Sequence, residues 1–302
     1  MTGLNAPLLF RPFPGSLWNQ RADYLPVDPY SDAIVKAIGN VGLAVDAEVP
    51  YLVTHRQKMV PVTVGVGDND PVYIEASDWA VGNVCKAPFP LEPSWTQKGF
   101  NPNAQDYHGI VVDLDRGFSY EAEGLNLVNG QWQALTLAVW NLHKNDDLQR
   151  PATWPASCGG GCSWMGGLVT YDEAVRDEIN HALMFTLAPA SFPYGDDAWA
   201  TPPCYHPLQA DAPNDPNLAC GVGTRFVLRP DFDDSQLPVI CQAFTNALKV
   251  YGMILTDRGG PMRIAATGDT RWPSLSALSA VKATDFRVLV RQPRYTYSNY
   301  PK

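Results

Sequence analysis

The chain has 302 residues, with 27 Pro, 24 Gly, six Cys, nine Trp and only 18% charged residues. At 45% hydrophobic it is too apolar for a disordered chain, and no run approaches the roughly 18 apolar residues of a membrane helix. A net charge of −9 argues against sequence-independent nucleic-acid binding, so neither nucleic acid nor membrane is an expected partner.

In chain order, residues 1–29 are rich in Pro and aromatics without periodicity and read as an extended N-terminal arm packed on the domain. Ser31 opens a short helix with Ile34, Ala37, Ile38 and Val41 on one face and Gly42 at its end. Strand-like runs follow at 49–54, 60–66 and 72–75, then a long Pro-rich loop over 83–106. The strongest β signal lies at 108–114, 118–123 and 132–140, joined by Asp115-Arg116-Gly117 and Asn129-Gly130. A second loop covers 141–167. Thr170-Tyr171-Asp172-Glu173 has the spacing of a capping box and predicts a short helix reaching about His181. A buried strand at 182–187, a third loop at 188–221 and a strand at 224–229 come next. Leu237, Ile240, Cys241, Phe244, Leu248 and Tyr251 recur at helical spacing after Pro238 and before Gly252. A hairpin around Arg258-Gly259-Gly260, a short helix after Ser274 and a strand at 286–290 close the chain. About ten short strands, few helices and no internal repeat predict one mainly β domain over 1–302. Its expected core is a β-sandwich or jelly-roll with three or four peripheral helices.

The cysteines are Cys85, Cys158, Cys162, Cys204, Cys220 and Cys241, an even number among Pro and Gly that suits disulfides in an oxidising compartment. Pairing Cys158 with Cys162 and Cys204 with Cys220 leaves Cys85 for Cys241. The long loops would then be stapled by disulfides. A zinc set of Cys158, Cys162, Cys204 and His206 is the competing arrangement. The first residues show no basic n-region with an apolar h-region, so export carries the expectation that a leader was removed ahead of residue 1.

No P-loop, dinucleotide fingerprint, nucleophile elbow or H-E-x-x-H motif is present. Four groups could carry chemistry. His108 stands at a strand entrance near Asp106, as an acid/base or a loop-paired imidazole. Glu121 and Glu123 share one strand face, as a pair of working carboxylates or a solvated edge. Asp172, Glu178 and His181 lie on the segment opened by the capping box, and Glu178 and His181 are close enough in sequence to touch on a helix. Trp140 and Asn141, with Arg150 and Trp154, offer ring faces and donors for sugar hydroxyls or form the loops' own small core. No cofactor is expected. The acidic clusters Asp68-Asn69-Asp70, Asp113 with Asp115, and Asp231, Asp233 and Asp234 could take a structural Ca²⁺.

Several stretches together resemble an uncharacterised family of secreted bacterial proteins. They are Pro26-Val27-Asp28-Pro29 with Ser31-Asp32, Val60-Pro61-Val62-Thr63, and His108 through Asp113 with Tyr120-Glu121. Arg150-Pro151-Ala152-Thr153-Trp154, Gly167 through Glu173, Glu178-Ile179-Asn180-His181-Ala182-Leu183, Tyr251-Gly252-Met253-Ile254 and Asp269-Thr270-Arg271-Trp272 complete the pattern. The Cys158–Cys162 loop departs from it. The resemblance implies export and one domain, and no particular reaction.

Taken together, the residues predict a secreted carbohydrate-active enzyme that cleaves glycosidic bonds of a polysaccharide or oligosaccharide. Hydrolysis is favoured over elimination. Glu178, His181, Asp172, His108 and Glu121 are the expected polar centre, and Trp140, Asn141, Arg150 and Trp154 the expected sugar contacts. A non-catalytic extracellular glycan-binding or surface-structural protein is the alternative.

Overall fold

A computed structural model describes residues 3–4, 10–49, 51–54, 59–64, 75–76, 79–80, 87–91, 108–134, 136–144, 158, 162–187, 216–218, 220–260 and 262–290. Among these residues the chain is mainly strand, with four α-helices, as the alternating sequence pattern predicts. The strands are β1 (Gly3–Leu4), β2 (Ala44–Val49), β3 (Tyr51–Thr54), β4 (Val60–Val64), β5 (Glu75–Ala76), β6 (Trp79–Ala80), β7 (Ala87–Phe89), β8 (His108–Asp113) and β9 (Phe118–Glu123). They continue as β10 (Asn126–Val128), β11 (Gln131–Ala134), β12 (Thr136–Asn141), β13 (Leu183–Leu187), β14 (Arg225–Leu228), β15 (Met253–Arg258), β16 (Arg263–Thr267) and β17 (Phe286–Val288). The helices are α1 (Ser31–Ile38), α2 (Trp164–Gly167), α3 (Tyr171–Val175) and α4 (Val239–Val250). No helix among the described residues is long and apolar enough to cross a membrane.

The strands form a five-stranded sheet in the order β1-β3-β8-β9-β12, a six-stranded sheet in the order β17-β14-β15-β13-β16-β2, a four-stranded sheet β10-β11-β4-β7, and the β5-β6 ribbon. Period-two alternation assigns each strand's side chains to two cores. Tyr51, Val53, Ile110, Val112, Ala138 and Trp140 leave the five-stranded sheet on one side and meet Met184 and Ile254 of the six-stranded sheet, with Trp164 and Met165 of α2. Leu52, Val111, Tyr120, Ala122 and Leu137 leave it on the other and meet Val62, Phe89 and Trp132 of the four-stranded sheet. The opposite face of the six-stranded sheet, including Phe185, Leu255 and Phe226, packs on Ile34 and Ile38 of α1 and Phe244 and Leu248 of α4. Each such apolar side chain contributes about 1.5–3 kcal/mol on full burial.

Several expectations change. The pairs β3–β8, β13–β15, β16–β2 and β11–β4 are parallel, whereas the consecutive hairpins of a jelly-roll are antiparallel. The run 132–140 divides between β11 and β12, which lie in different sheets. The Asn129-Gly130 turn, with φ of 50° and 77°, joins β10 to β11 instead. β15 and β16 form no hairpin, because β13 lies between them and pairs with both. In α1 it is Val35, not Ala37, that joins Ile34 and Ile38 on the buried face, and the helix stops at Gly39 with φ 86°. No two cysteines among the described residues are at disulfide distance: Cys158 Sγ and Cys162 Sγ are 3.7 Å apart, in hydrogen-bond contact, against about 2.05 Å for a bond. Cys241 is a buried thiol on α4. Cys85, Cys204 and His206 lie outside the described residues.

Residues 10–28 are tied to the sheets at many points. Trp18 is fully buried, its carbonyl accepts from Ala182 N at 2.7 Å, and Asp28 N donates to Val288 O. The buried Arg225 guanidinium donates to the carbonyls of Leu17, Gln20 and Tyr251, which fixes this segment against β14 and the end of α4.

Candidate functional site

Residues 162–182 lead into β13 of the six-stranded sheet and carry α2 and α3, and the first turn of each helix meets a glutamate. The first is Glu121. Register places Tyr51, Ile110, Glu121 and Ala138 opposite one another across β3, β8, β9 and β12, so all four share the inward face. Glu121 is fully buried. It accepts from Ser119 Oγ at 3.0 Å, Ser163 Oγ at 2.5 Å, Trp164 N at 3.1 Å and Met165 N at 3.5 Å. The last two are N–H groups that a helix start leaves without an intrahelical acceptor. Burial pushes the Glu121 carboxyl up, against the lowering effect of these donors. His108 stands opposite Glu123 in the β8–β9 register, and its ring lies 4.2 Å from that of Trp164.

The second is Glu173. Thr170 and Glu173 form the reciprocal capping box: Glu173 N donates to Thr170 Oγ1 at 3.3 Å, while Glu173 Oε2 accepts from Thr170 N at 3.0 Å and Thr170 Oγ1 at 2.7 Å. That occupies one carboxylate oxygen. The other, Oε1, faces His181 Nε2 at 3.7 Å and Arg11 Nη1 at 3.8 Å. Both separations exceed hydrogen-bond length. His181 is fully buried, with Nδ1 2.8 Å from the Ala182 carbonyl oxygen. Arg11 is held by its Nε donating to Asn19 Oδ1 at 2.7 Å and its Nη2 donating to Gly166 O. Glu173 and Arg11 keep 22% and 26% of their side-chain surface, so solvent reaches this carboxylate and not the imidazole behind it.

Burial alone would raise the Glu173 pKa, but His181, Arg11 and Thr170 together hold it down to about 2. Burial, with the Arg11 charge, lowers His181 and outweighs Glu173 and the Ala182 carbonyl. Tyr51 adds a fully buried phenol with no hydrogen-bond partner for its Oη among the described residues. Burial raises its pKa well above normal, and the charges of Glu173 and Asp172 raise it further. Outside this centre, Arg271 holds Asp269 at 2.6 Å and Asp172 at 3.1 Å, and its guanidinium carbon lies 4.3 Å from the Tyr171 ring centroid. Tyr171 meets Trp272 edge to face at 5.3 Å.

Of the five expected polar residues, the structure places His181 at the Glu173 centre, Asp172 outside it on Arg271, and His108 and Glu121 around Trp164. Glu178 belongs to neither. α3 ends at Val175 and Asp177 takes φ 55°, so Glu178 and His181 are not on one helix; the exposed Glu178 pairs with Arg176 Nε at 2.5 Å. His181 takes Glu173 as its carboxylate instead. Trp140 is 2% exposed and packs in the core between the two larger sheets, so it has no face to offer a sugar. Asn141 Oδ1 accepts from His143 N at 3.0 Å, a turn contact. Arg150 and Trp154 lie outside the described residues. Asp113 is committed to Arg116 and to the N–H groups of its turn, and Asp234 to Lys249 and Thr245. Among the described residues no group of three or more His, Cys, Asp or Glu side chains is placed to hold a metal.

Sequence reasoning passed over Glu173, Arg11 and Tyr51. The T-x-x-E signal identified Glu173 as a cap, and a cap occupies only one of its two oxygens. Arg11 reaches the site from 162 positions away in the chain, beyond any spacing rule. Chemically, the arrangement offers an ionised, partly accessible carboxylate with a neutral imidazole, a guanidinium and a phenol around it. Comparison of the chain with family models, with curated proteins and with solved structures finds no match.

Proposed function

We propose that the protein is a secreted carbohydrate-active enzyme that cleaves glycosidic bonds of an extracellular polysaccharide, by hydrolysis in preference to elimination. The observation that supports this reading is Glu173, a carboxylate kept ionised at neutral pH with one oxygen capped and the other facing His181 and Arg11. An ionised carboxylate facing an imidazole can orient an attacking water and accept its proton as the new bond forms, the low pKa favouring orientation over basicity. Elimination would use the same residues differently, with His181 or Tyr51 taking a proton beside a uronate and Arg11 facing its carboxylate. In this reading the five- and six-stranded sheets are the two layers of a β-sandwich scaffold in one domain.

The alternative, a non-catalytic glycan-binding protein, is favoured by one specific observation. Glu121 is sealed by four donors, and Asp172 and Glu178 are held by arginines, which leaves these three carboxylates with structural tasks. A panel of polysaccharides, read by new reducing ends and by the ultraviolet absorbance of unsaturated uronates, separates the possibilities. The enzyme reading expects product from at least one glycan and a loss of at least about 100-fold in Glu173→Gln. Binding without product from any glycan would select the alternative.

A further inference from the structure

The orientation of His181 carries the argument further. Its Nδ1 lies 2.8 Å from the Ala182 carbonyl oxygen, which can only accept, so Nδ1 carries the ring proton. A neutral ring then presents the Nε2 lone pair to Glu173 Oε1 at 3.7 Å. Two acceptors face each other, the imidazole nitrogen fully buried, an arrangement that is favourable only with a donor between them. The donor must carry two hydrogens, one for each acceptor. Arg11 Nη1 lies 3.8 Å from the same Oε1, and an arginine N–H can only donate, so a group that bridges it to Glu173 must also accept. The buried Tyr51 hydroxyl is a further donor close enough to feel the Glu173 charge.

We propose that Glu173 Oε1, His181 Nε2 and Arg11 Nη1 form a binding site for one water molecule, which donates to the first two and accepts from the third, and that this is the water that cleaves the glycosidic bond. The inference rests on the hydrolase reading for the second half of that statement and on geometry alone for the first. In the reaction the water oxygen bonds to the anomeric carbon as the bond to the glycosidic oxygen breaks. The leaving oxygen departs with the electron pair and takes a proton from solvent, while a water proton passes to Glu173. A direct attack of this kind inverts the anomeric configuration. The charged groups around His181 are Glu173, which favours the imidazolium, and Arg11, which opposes it. When His181 is protonated its Nε2–H donates straight to Glu173 and the water site closes, so activity falls on the acid side.

The test is the imidazole ¹⁵N spectrum of the full-length chain near neutral pH, with His181 assigned through His181→Gln, together with a crystal structure that orders solvent. Should that variant not fold, ring-to-backbone correlations in the wild type assign the same signal. The expected result is a protonated Nδ1, an unprotonated Nε2, and a solvent peak within hydrogen-bond distance of all three atoms that is lost in Glu173→Gln. A proton on Nε2, or no such peak, overturns the site. The role of the water is decided separately by the first-formed anomer from a cleaved glycan: inversion supports it and retention overturns it. A panel with no cleaved glycan overturns the hydrolase reading, and with it the role of the water, while the spectrum still decides the site.

Discussion

Glu121 and Glu173 stand at the starts of two consecutive short helices, and their environments give them opposite tasks. Glu121 reaches α2 from β9, accepts from Ser119, Ser163, Trp164 and Met165, and is closed from solvent. Glu173 caps its own helix with one oxygen and keeps the other beside Arg11 and His181, at a partly open surface. Burial raises the first and charged neighbours hold down the second. A buried carboxylate is therefore not by itself a sign of catalysis. What matters is whether its oxygens are all taken.

The largest expected effect breaks the sealed member of the pair. Glu121→Ala leaves the Ser119 and Ser163 hydroxyls and the Trp164 N–H without this acceptor, while Met165 N keeps Ser163 Oγ at 3.1 Å, at a cost on the order of 3 kcal/mol in denaturant unfolding. A cost below about 1 kcal/mol would mean that Glu121 does not organise α2.

The pH dependence of stability sharpens the comparison next. Glu173 has a depressed folded pKa, so its contribution is present above the ordinary carboxylate range and is lost as pH falls toward about 2. The full span amounts to about 3 kcal/mol. His181, also depressed, adds loss in the same direction as pH falls below its unfolded value near about 6.5. Glu121 has a raised folded pKa, so its contribution is complete below the ordinary carboxylate range and is lost as pH rises through the raised value. Glu173→Gln should therefore flatten the acid limb of a stability–pH curve, and Glu121→Gln should leave that limb in place. Identical acid limbs in the wild type and Glu173→Gln would remove the distinction.

A smaller effect probes the segment between the two glutamates. A Cβ on Gly167 would stand 2.5 Å from Met184 N and 2.6 Å from the Trp18 ring, so Gly167→Ala should cost about 2 kcal/mol by forcing α2 off β13. The smallest effect belongs to the residue that sequence spacing favoured. Glu178 makes an exposed ion pair with Arg176, so Glu178→Gln should change stability by no more than about 0.5 kcal/mol and leave glycan cleavage unaltered. A strong loss of cleavage in that variant would return Glu178 to the site.

The parts of this arrangement legible in the sequence are those set by local rules. Strands 108–113 and 118–123 follow period-two alternation, and the capping box follows from Thr170 and Glu173. The end of α3 is not legible, because Arg176, Asp177 and Glu178 are compatible with a helix, while Asp177 adopts a left-handed conformation that breaks it. Glu121 and Glu123 read as a pair of working carboxylates or a solvated edge, because no local pattern shows that the start of α2 will cover Glu121 from 42 residues away in the chain. Arg11 joined the site only through the fold of residues 10–28 around Asn19, whose amide donates to Pro12 O and Phe13 O. Non-local pairings of this kind depend on which sheets face each other, and single-sequence patterns do not encode that.

The central claim, that two glutamates at neighbouring helix starts have carboxyls shifted in opposite directions, is tested most directly by a ¹³C titration of the Glu121 and Glu173 side-chain carboxyls in the intact protein. Glu173 is predicted to titrate far below the ordinary carboxylate range, near about 2, and Glu121 above that range. Both carboxyls titrating together at ordinary values, or in the reverse order, would contradict it.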